Sequence, residues 1–196
     1  MQEKPDRRSN RERTETTRAA LIQAARALFV AKGYADTGTP EIVAAAKVTR
    51  GALYHHFADK QALFRAVVEA EAAAVAAGID RATPASLSPR EALIRGGDAF
   101  LQAMRAPGRT RLLLLDGPAV LGRAEMDAID YAHGGRTLRE GIAAAMAAGG
   151  REALPVDELG AVLSAAFDRA ALGIAGGGDA GNYRQSLKAL IQGLFD

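Results

Sequence analysis

The twelve residues from Thr49 to Lys60, Thr-Arg-Gly-Ala-Leu-Tyr-His-His-Phe-Ala-Asp-Lys, constrain this chain more than any other stretch. They predict one short helix that starts at Thr49 and stops before Asp59. Its apolar positions, Leu53 and Phe57, lie four residues apart and share a face. The opposite face carries Arg50, Tyr54 and His55, long hydrogen-bonding side chains that can reach phosphates or base edges. A structural helix rarely sets a cation, a phenol and an imidazole together on its outer side. The pattern is that of the second helix of a helix-turn-helix.

The preceding residues agree. Thr39-Pro40-Glu41 reads as a helix start, with Thr39 capping the orphan amides, Pro40 in the first helical position and Glu41 at the positive end of the dipole. Ile42 and Ala45-Ala46 then form a short apolar face. Lys47-Val48 leads to Thr49, a natural cap for the next helix. Two short helices joined by about three to four residues have helix-turn-helix geometry.

On Thr17-Arg18, Leu21, Ala24-Ala25, Leu28-Phe29, Gly33-Tyr34, Thr37, Ile42, Ala45-Ala46, Val48-Thr49, Gly51, Leu53-Tyr54, His56-Phe57, Lys60 and Leu63, the chain resembles the TetR family of bacterial transcriptional repressors. The matched stretch is about 47 residues, roughly a quarter of the chain. The remainder carries no comparably sharp motif, but its run of helices without a strand pattern is also similar to the family.

Abundant Ala and Leu, with little strand-like alternation, predict an all-α protein. The expected architecture is an N-terminal three-helix helix-turn-helix domain followed by an α-helical regulatory and dimerisation domain, about nine helices in all. There is no cysteine, so a thiolate metal site is impossible, which suits a cytoplasmic protein. No cofactor and no metal are expected. Met1 to Arg13 has no apolar core of a secretory signal, and no apolar run approaches the ~20 residues that span a bilayer. Residues 1–65 hold 12 Lys and Arg against 7 Asp and Glu, whereas 66–196 hold 13 against 16. A basic N-terminal third fits nucleic-acid contact at one end only.

The expected boundaries are a basic arm at 1–13, a DNA-binding domain at 14–65 with its helix-turn-helix at about 38–57, and an effector-binding and dimerisation domain at 66–196. The arm, with Lys4, Arg7, Arg8, Arg11 and Arg13, is either a DNA contact or a solvated tail. Leu21, Ala24-Ala25, Leu28 and Phe29 recur at helical spacing up to Gly33, a left-handed stop. Asp59 caps a fourth helix to about Ala77. Ser88-Pro89-Arg90-Glu91 is a capping box. Gly117-Pro118 is read as a break, followed by helices at about 118–132 and 136–148. The last two helices are expected at about 156–175 and 181–194.

The resemblance implies a DNA-contacting set of Arg18, Thr39, Lys47, Thr49, Arg50, Gly51, Ala52, Tyr54, His55 and Lys60. Arg50 is the candidate for base readout, and the small Gly51 and Ala52 let the helix sit deep in the groove. Tyr54, His55 and Lys60 match family positions that hold phosphates. His56 matches a position that packs inward. Family members usually carry Gly where this chain has Lys47; either Lys47 accepts a left-handed conformation, at about 1–2 kcal/mol, or the turn differs.

One reading head spans few base pairs, so a double-stranded, palindromic operator and a homodimer are expected. The resemblance places the dimer interface on the last two helices, here Leu159, Val162, Leu163, Ala166, Ala170, Tyr183, Leu187, Leu190, Ile191 and Leu194. It also implies an apolar pocket for a small apolar effector, with candidates Phe100, Met104, Leu113, Leu114, Val120, Met126, Ile129 and Phe167 and polar anchors Asp116 and His133. His133, beside Gly134-Gly135, alternatively ends a helix. The expected function is a homodimeric repressor released from its operator by that effector. A helical scaffold, or a regulator without a small-molecule ligand, is the alternative. An enzyme is not expected: no nucleotide-binding glycine loop, His-x-x-x-His pair or cysteine is present.

Overall fold

The computed structural model describes residues 7–149 and 154–195. Every regular element among them is helical. The helices are α1 (Arg7–Lys32), α2 (Thr39–Ala46), α3 (Arg50–His56), α4 (Lys60–Ala82), α5 (Pro89–Met104), α6 (Arg109–Arg111), a π turn (Leu112–Asp116), α7 (Gly117–Leu121), α8 (Arg123–Ala132), α9 (Gly134–Gly149), α10 (Val156–Ala175) and α11 (Ala180–Phe195). Two compact units divide after Glu69, inside α4.

In the first unit α1 packs on α2 and α3. Leu21, Ala25 and Phe29 from α1, Ile42 from α2, Leu53 from α3 and Leu63, Phe64 and Val67 from α4 are fully buried. The rings of Phe29, Tyr34 and Phe64 meet edge-on or tilted at 5.0–5.7 Å. Gly33, at φ 86°, closes α1, and its amide donates to Phe29 O at 2.8 Å. The buried Thr37 hydroxyl donates to Gly33 O at 2.7 Å and fixes the loop into α2. The expected arm needs correction: Arg7 to Arg13 is already helix, because straight-chain Arg and Glu sustain a helix without an apolar stripe. The remaining arm residues, including Lys4, lie outside the described residues.

In the second unit α5 packs against α9, α10 and α11. Its Ser88–Glu91 capping box forms as expected. Gly97 on α5 is required by packing, because a Cβ there would stand 2.7 Å from Phe167 Cζ. The expected break at Gly117-Pro118 does not occur. Pro118 has no amide to offer the preceding turn, and the ladder loosens into a π turn in which Gly117 N donates to Leu112 O. The chain breaks instead at Gly122, φ 85°, and at His133, which ends α8.

Candidate nucleic-acid interface and cavity

The turn between α2 and α3 is built by Lys47, which adopts φ 55° and ψ 40°. Its amide donates to Ala44 O at 3.2 Å, and the Val48 amide to Val43 O at 3.0 Å. These bonds satisfy the last carbonyls of α2 and hold a left-handed lysine in place. Thr49 then caps α3, its Oγ1 accepting from Ala52 N at 3.1 Å. Leu53 points inward, while Arg50, Gly51, Tyr54 and His55 are exposed and Ala52 is half-buried. Phe57 is buried just past the helix, in extended backbone.

Thr39 is not the cap of α2, a correction to the sequence reading. Gly38 holds that position in extended backbone without a side-chain bond, and Thr39 is the first helical residue. The Thr39 hydroxyl is hydrogen-bonded to Tyr54 instead. That bond, and one from Arg50, hold the Tyr54 phenol below its ordinary pKa. The Arg50 guanidinium lies 5.5 Å from the Tyr54 ring centroid. Thr39, Arg50 and Tyr54 thus form one ordered cluster across α2 and α3. On α1, the exposed Arg18 sits 5.3 Å over the Phe57 ring. His56 is half-buried, and burial, then His55 and Arg18, push its pKa down, opposed by Glu15. A neutral, inward histidine matches the expectation for that position.

The resemblance implies a phosphate contact for Lys60, at the start of α4. Its ammonium donates to Tyr34 O at 2.9 Å and Thr37 O at 3.1 Å and lies 4.2 Å from the Tyr34 ring centroid. Two of its three protons therefore hold the α1–α2 loop, and one remains for an outside partner. Asp59 caps α4 as expected, accepting from Ala62 N at 2.7 Å.

The second unit contains a cavity of about 440 Å³. Of the sequence-predicted lining, Phe100, Met104, Leu113, Leu114, Met126 and Ile129 reach it. Val120, Asp116 and His133 do not. Asp116 pairs with Arg111 at 3.2 Å, and His133 terminates α8. Phe167 lies behind Phe100, ring centroids 5.6 Å apart, and lines neighbouring cavities. The polar wall is made of residues absent from the sequence expectation: Arg123, Asp127, Asp130, Arg139, Ser164 and Asp168. Their signal is faint. Ser164, Asp168 and Leu172 recur every four residues, so a carboxylate shares a face with an otherwise weakly polar stripe of α10. Burial and then the nearby Asp130 push the Asp168 carboxyl up to about 6, against the pull of Arg123. Asp130 is also raised by burial, offset by Ser164 and Arg139.

The expected dimer residues divide. Leu163, Ala170, Leu187 and Ile191 are buried within the protomer, so they serve its own core and cannot form an outer face. The Tyr183 ring packs against Gly173 and Gly178 of its own chain. Leu159, Ala166 and Leu194 are half-buried, while Val162 is 67% and Leu190 54% exposed.

Residues 21–67 match the profile of bacterial regulatory proteins of the tetR family, and residues 90–196 match the tetracyclin repressor-like C-terminal domain. The chain is 34% identical over 93 residues to the A-factor receptor protein of Streptomyces griseus, covering 47% of this chain and 32% of that protein. It is 33% identical over 95 residues to the HTH-type transcriptional activator FasR of Mycolicibacterium smegmatis, covering 48% and 43%. The matches thus span less than half the length of these curated relatives. A crystal structure of a TetR-family transcriptional regulator from Pectobacterium atrosepticum superposes with a TM-score of 0.72 at 31% identity, covering 94% of each chain. RolR in complex with resorcinol shares the fold, with a TM-score of 0.71 at 19% identity over 94% of this chain and 89% of that one. Among the described residues no helix is long and apolar enough to cross a membrane.

Proposed function

The chain belongs to the TetR family of bacterial regulatory proteins, and from that premise we propose that it is a homodimeric, operator-binding transcriptional repressor acting in the cytoplasm. The observation that carries this reading is the outer face of α3. A Thr49-capped helix, seated by Leu53, turns Arg50 and Tyr54 outward in one hydrogen-bonded cluster with Thr39. Ordering before contact lowers the entropy lost on binding. Arg50 reads a base edge, with a guanine offering the matching pair of acceptors. Arg18, Lys47, Thr49, Tyr54 and His55 contact the phosphates that set register.

Two heads are needed for useful affinity. The exposed Val162 and Leu190 support a dimer face on α10 and α11, with Leu159, Ala166 and Leu194 at its margin. A palindromic operator follows from two-fold symmetry. The cavity between the middle helices supports release by a small molecule, through its differential affinity for two states.

Titrating purified protein onto the DNA upstream of its own gene, over a salt series, tests the reading. Binding as a dimer, tighter than to scrambled DNA and weakening steeply with salt, is expected. Equal affinity for scrambled DNA, followed by no enriched site in a random-sequence selection, would overturn it.

A further inference from the structure

The cavity of the second unit holds an unbalanced charge. Its wall includes Asp127, Asp130 and Asp168 against Arg123 and Arg139. Four of these five are engaged. Arg123 pairs with Asp127 at 2.9 Å. Arg139 pairs with Asp157 at 3.3 Å and acts on Asp130, which also accepts the Ser164 hydroxyl at 3.3 Å. Asp168 differs. Among the described residues no hydrogen bond or ion pair reaches its carboxylate, and Arg123 acts on it only at longer range.

A carboxylate in that position faces an apolar wall that includes Phe100, Met104, Leu113 and Met126. Ionising it is costly, because burial strips part of its hydration and, among the described residues, no cation pairs with it directly. An anionic guest would meet like charge from Asp130 and Asp168. A neutral apolar guest would exclude water from Asp168 and deepen the penalty. A cation relieves it. The volume of about 440 Å³ falls within the range of small-molecule sites.

We propose that this cavity binds an amphipathic monocation, an apolar body carrying one protonated amine, with the ammonium against Asp168 and the body among Phe100, Met104, Leu113 and Met126. The inference rests on reading the cavity as the effector site, and it replaces the expected purely apolar effector with a cationic one. Asp130, held by Ser164, positions the polar end of the wall. The charged groups around Asp168 are Arg123, Asp127 and Asp130 on α8 and Arg139 on α9; the α4 and α5 residues of the wall, Ala72, Val75, Phe100 and Met104, carry no charge.

Three small molecules of one shape test the proposal: phenylbutylamine, phenylbutanol and phenylbutyrate, titrated calorimetrically into the full chain at about pH 8, where a carboxyl raised to about 6 is ionised. The amine is expected to bind at least about tenfold more tightly than the alcohol, with the carboxylate weakest. Asp168→Asn should remove the preference for the amine while leaving alcohol binding in place. A second measurement needs no variant. At about pH 5 the preference should vanish, because Asp168 takes up its proton while an alkylammonium stays charged to about 10. Equal binding of the three molecules, no binding of the amine, or a preference that survives both Asp168→Asn and acidification would overturn the proposal. The regulator reading fails separately. Protein that binds its upstream DNA but shows no amine preference loses only this inference, whereas an amine preference without DNA binding removes only the repressor.

Discussion

Arg109 Nε donates to Glu71 Oε2 at 2.7 Å, joining the α5–α6 corner to α4. The side chains are 14% and 8% exposed, and a second Arg109 nitrogen donates to Ala103 O at 2.7 Å. Removing one partner strands the other. Arg109→Ala should therefore destabilise the fold by about 3 kcal/mol or more, read from chemical denaturation. The double change Glu71→Met with Arg109→Met should recover most of that loss, since no buried charge then remains. A double variant as unstable as Arg109→Ala would show that the pair itself carries the stability.

Arg50 and Lys47 should separate base readout from backbone contact. Arg50→Ala should cost about 1–3 kcal/mol at one operator position and relax specificity there. Lys47→Ala should weaken all sequences alike and reduce the salt slope by about one. Lys47→Gly should raise thermal stability, because glycine occupies φ 55° without the ~1–2 kcal/mol left-handed penalty, yet weaken DNA binding as alanine does. Quantitative footprinting on single-base operator variants, beside thermal melts, checks the three together.

Lys60 ties the α1–α2 loop through two carbonyls. Lys60→Met keeps the stem and removes the ammonium. Each charged hydrogen bond contributes about 1.5–3 kcal/mol, so the first unit should melt earlier and operator binding should fall uniformly. Hydrogen exchange at Tyr34 to Thr37 locates the effect. Unchanged protection there would mean that the lysine acts outward, on phosphate.

Asp168 makes stability depend on pH. Its folded carboxyl is raised from 3.8 to about 6, so between about pH 4 and pH 6 the folded chain holds more protons than the unfolded one. Its contribution is fully present below about pH 4 and is lost as pH rises through about 6, by up to about 3 kcal/mol. Asp130, raised in the same direction, adds to the slope. Asp168→Asn should flatten the curve relative to the parent chain across that window, measured by denaturant midpoints at stepped pH.

Val162 and Leu190 should govern assembly. Changing both to Asp places charge where apolar contact is proposed and leaves the protomer core untouched, since both are exposed. Sedimentation should show a monomer of native helicity, with operator affinity reduced by about 10²-fold or more through loss of the second head. A persistent dimer would move the interface elsewhere.

The reading head was largely legible because its signals are local. Thr49 caps α3 by accepting from the amide three residues on, and Leu53 falls inward by helical spacing, whereas Phe57, expected on the same helix face, is buried from the extended backbone just past it. Lys47 takes the left-handed conformation that one of two open alternatives foresaw. What escaped depends on distance along the chain. Thr39 meets Tyr54 across fifteen residues, and Lys60 reaches Tyr34 across twenty-six. The π turn escaped because Gly-Pro normally ends a helix, and only the surrounding packing shows the ladder continuing past it.

By itself, then, the sequence determined an all-helical chain, the caps at Thr49, Asp59 and Ser88, though not that of α2, and the exposed face of α3. These follow from the 3.6-residue period and from side chains that bond their near neighbours. Only the tertiary structure decided which side of α10 and α11 is inward, burying Leu163 and Ile191 while leaving Val162 and Leu190 outside. It alone decided that Asp130 has Ser164 and Arg139 beside it, whereas Asp168 lines the cavity with, among the described residues, no hydrogen bond or ion pair and only the longer-range pull of Arg123. An apolar stripe states that some surface must be covered, but which neighbour covers it depends on helices far apart in sequence.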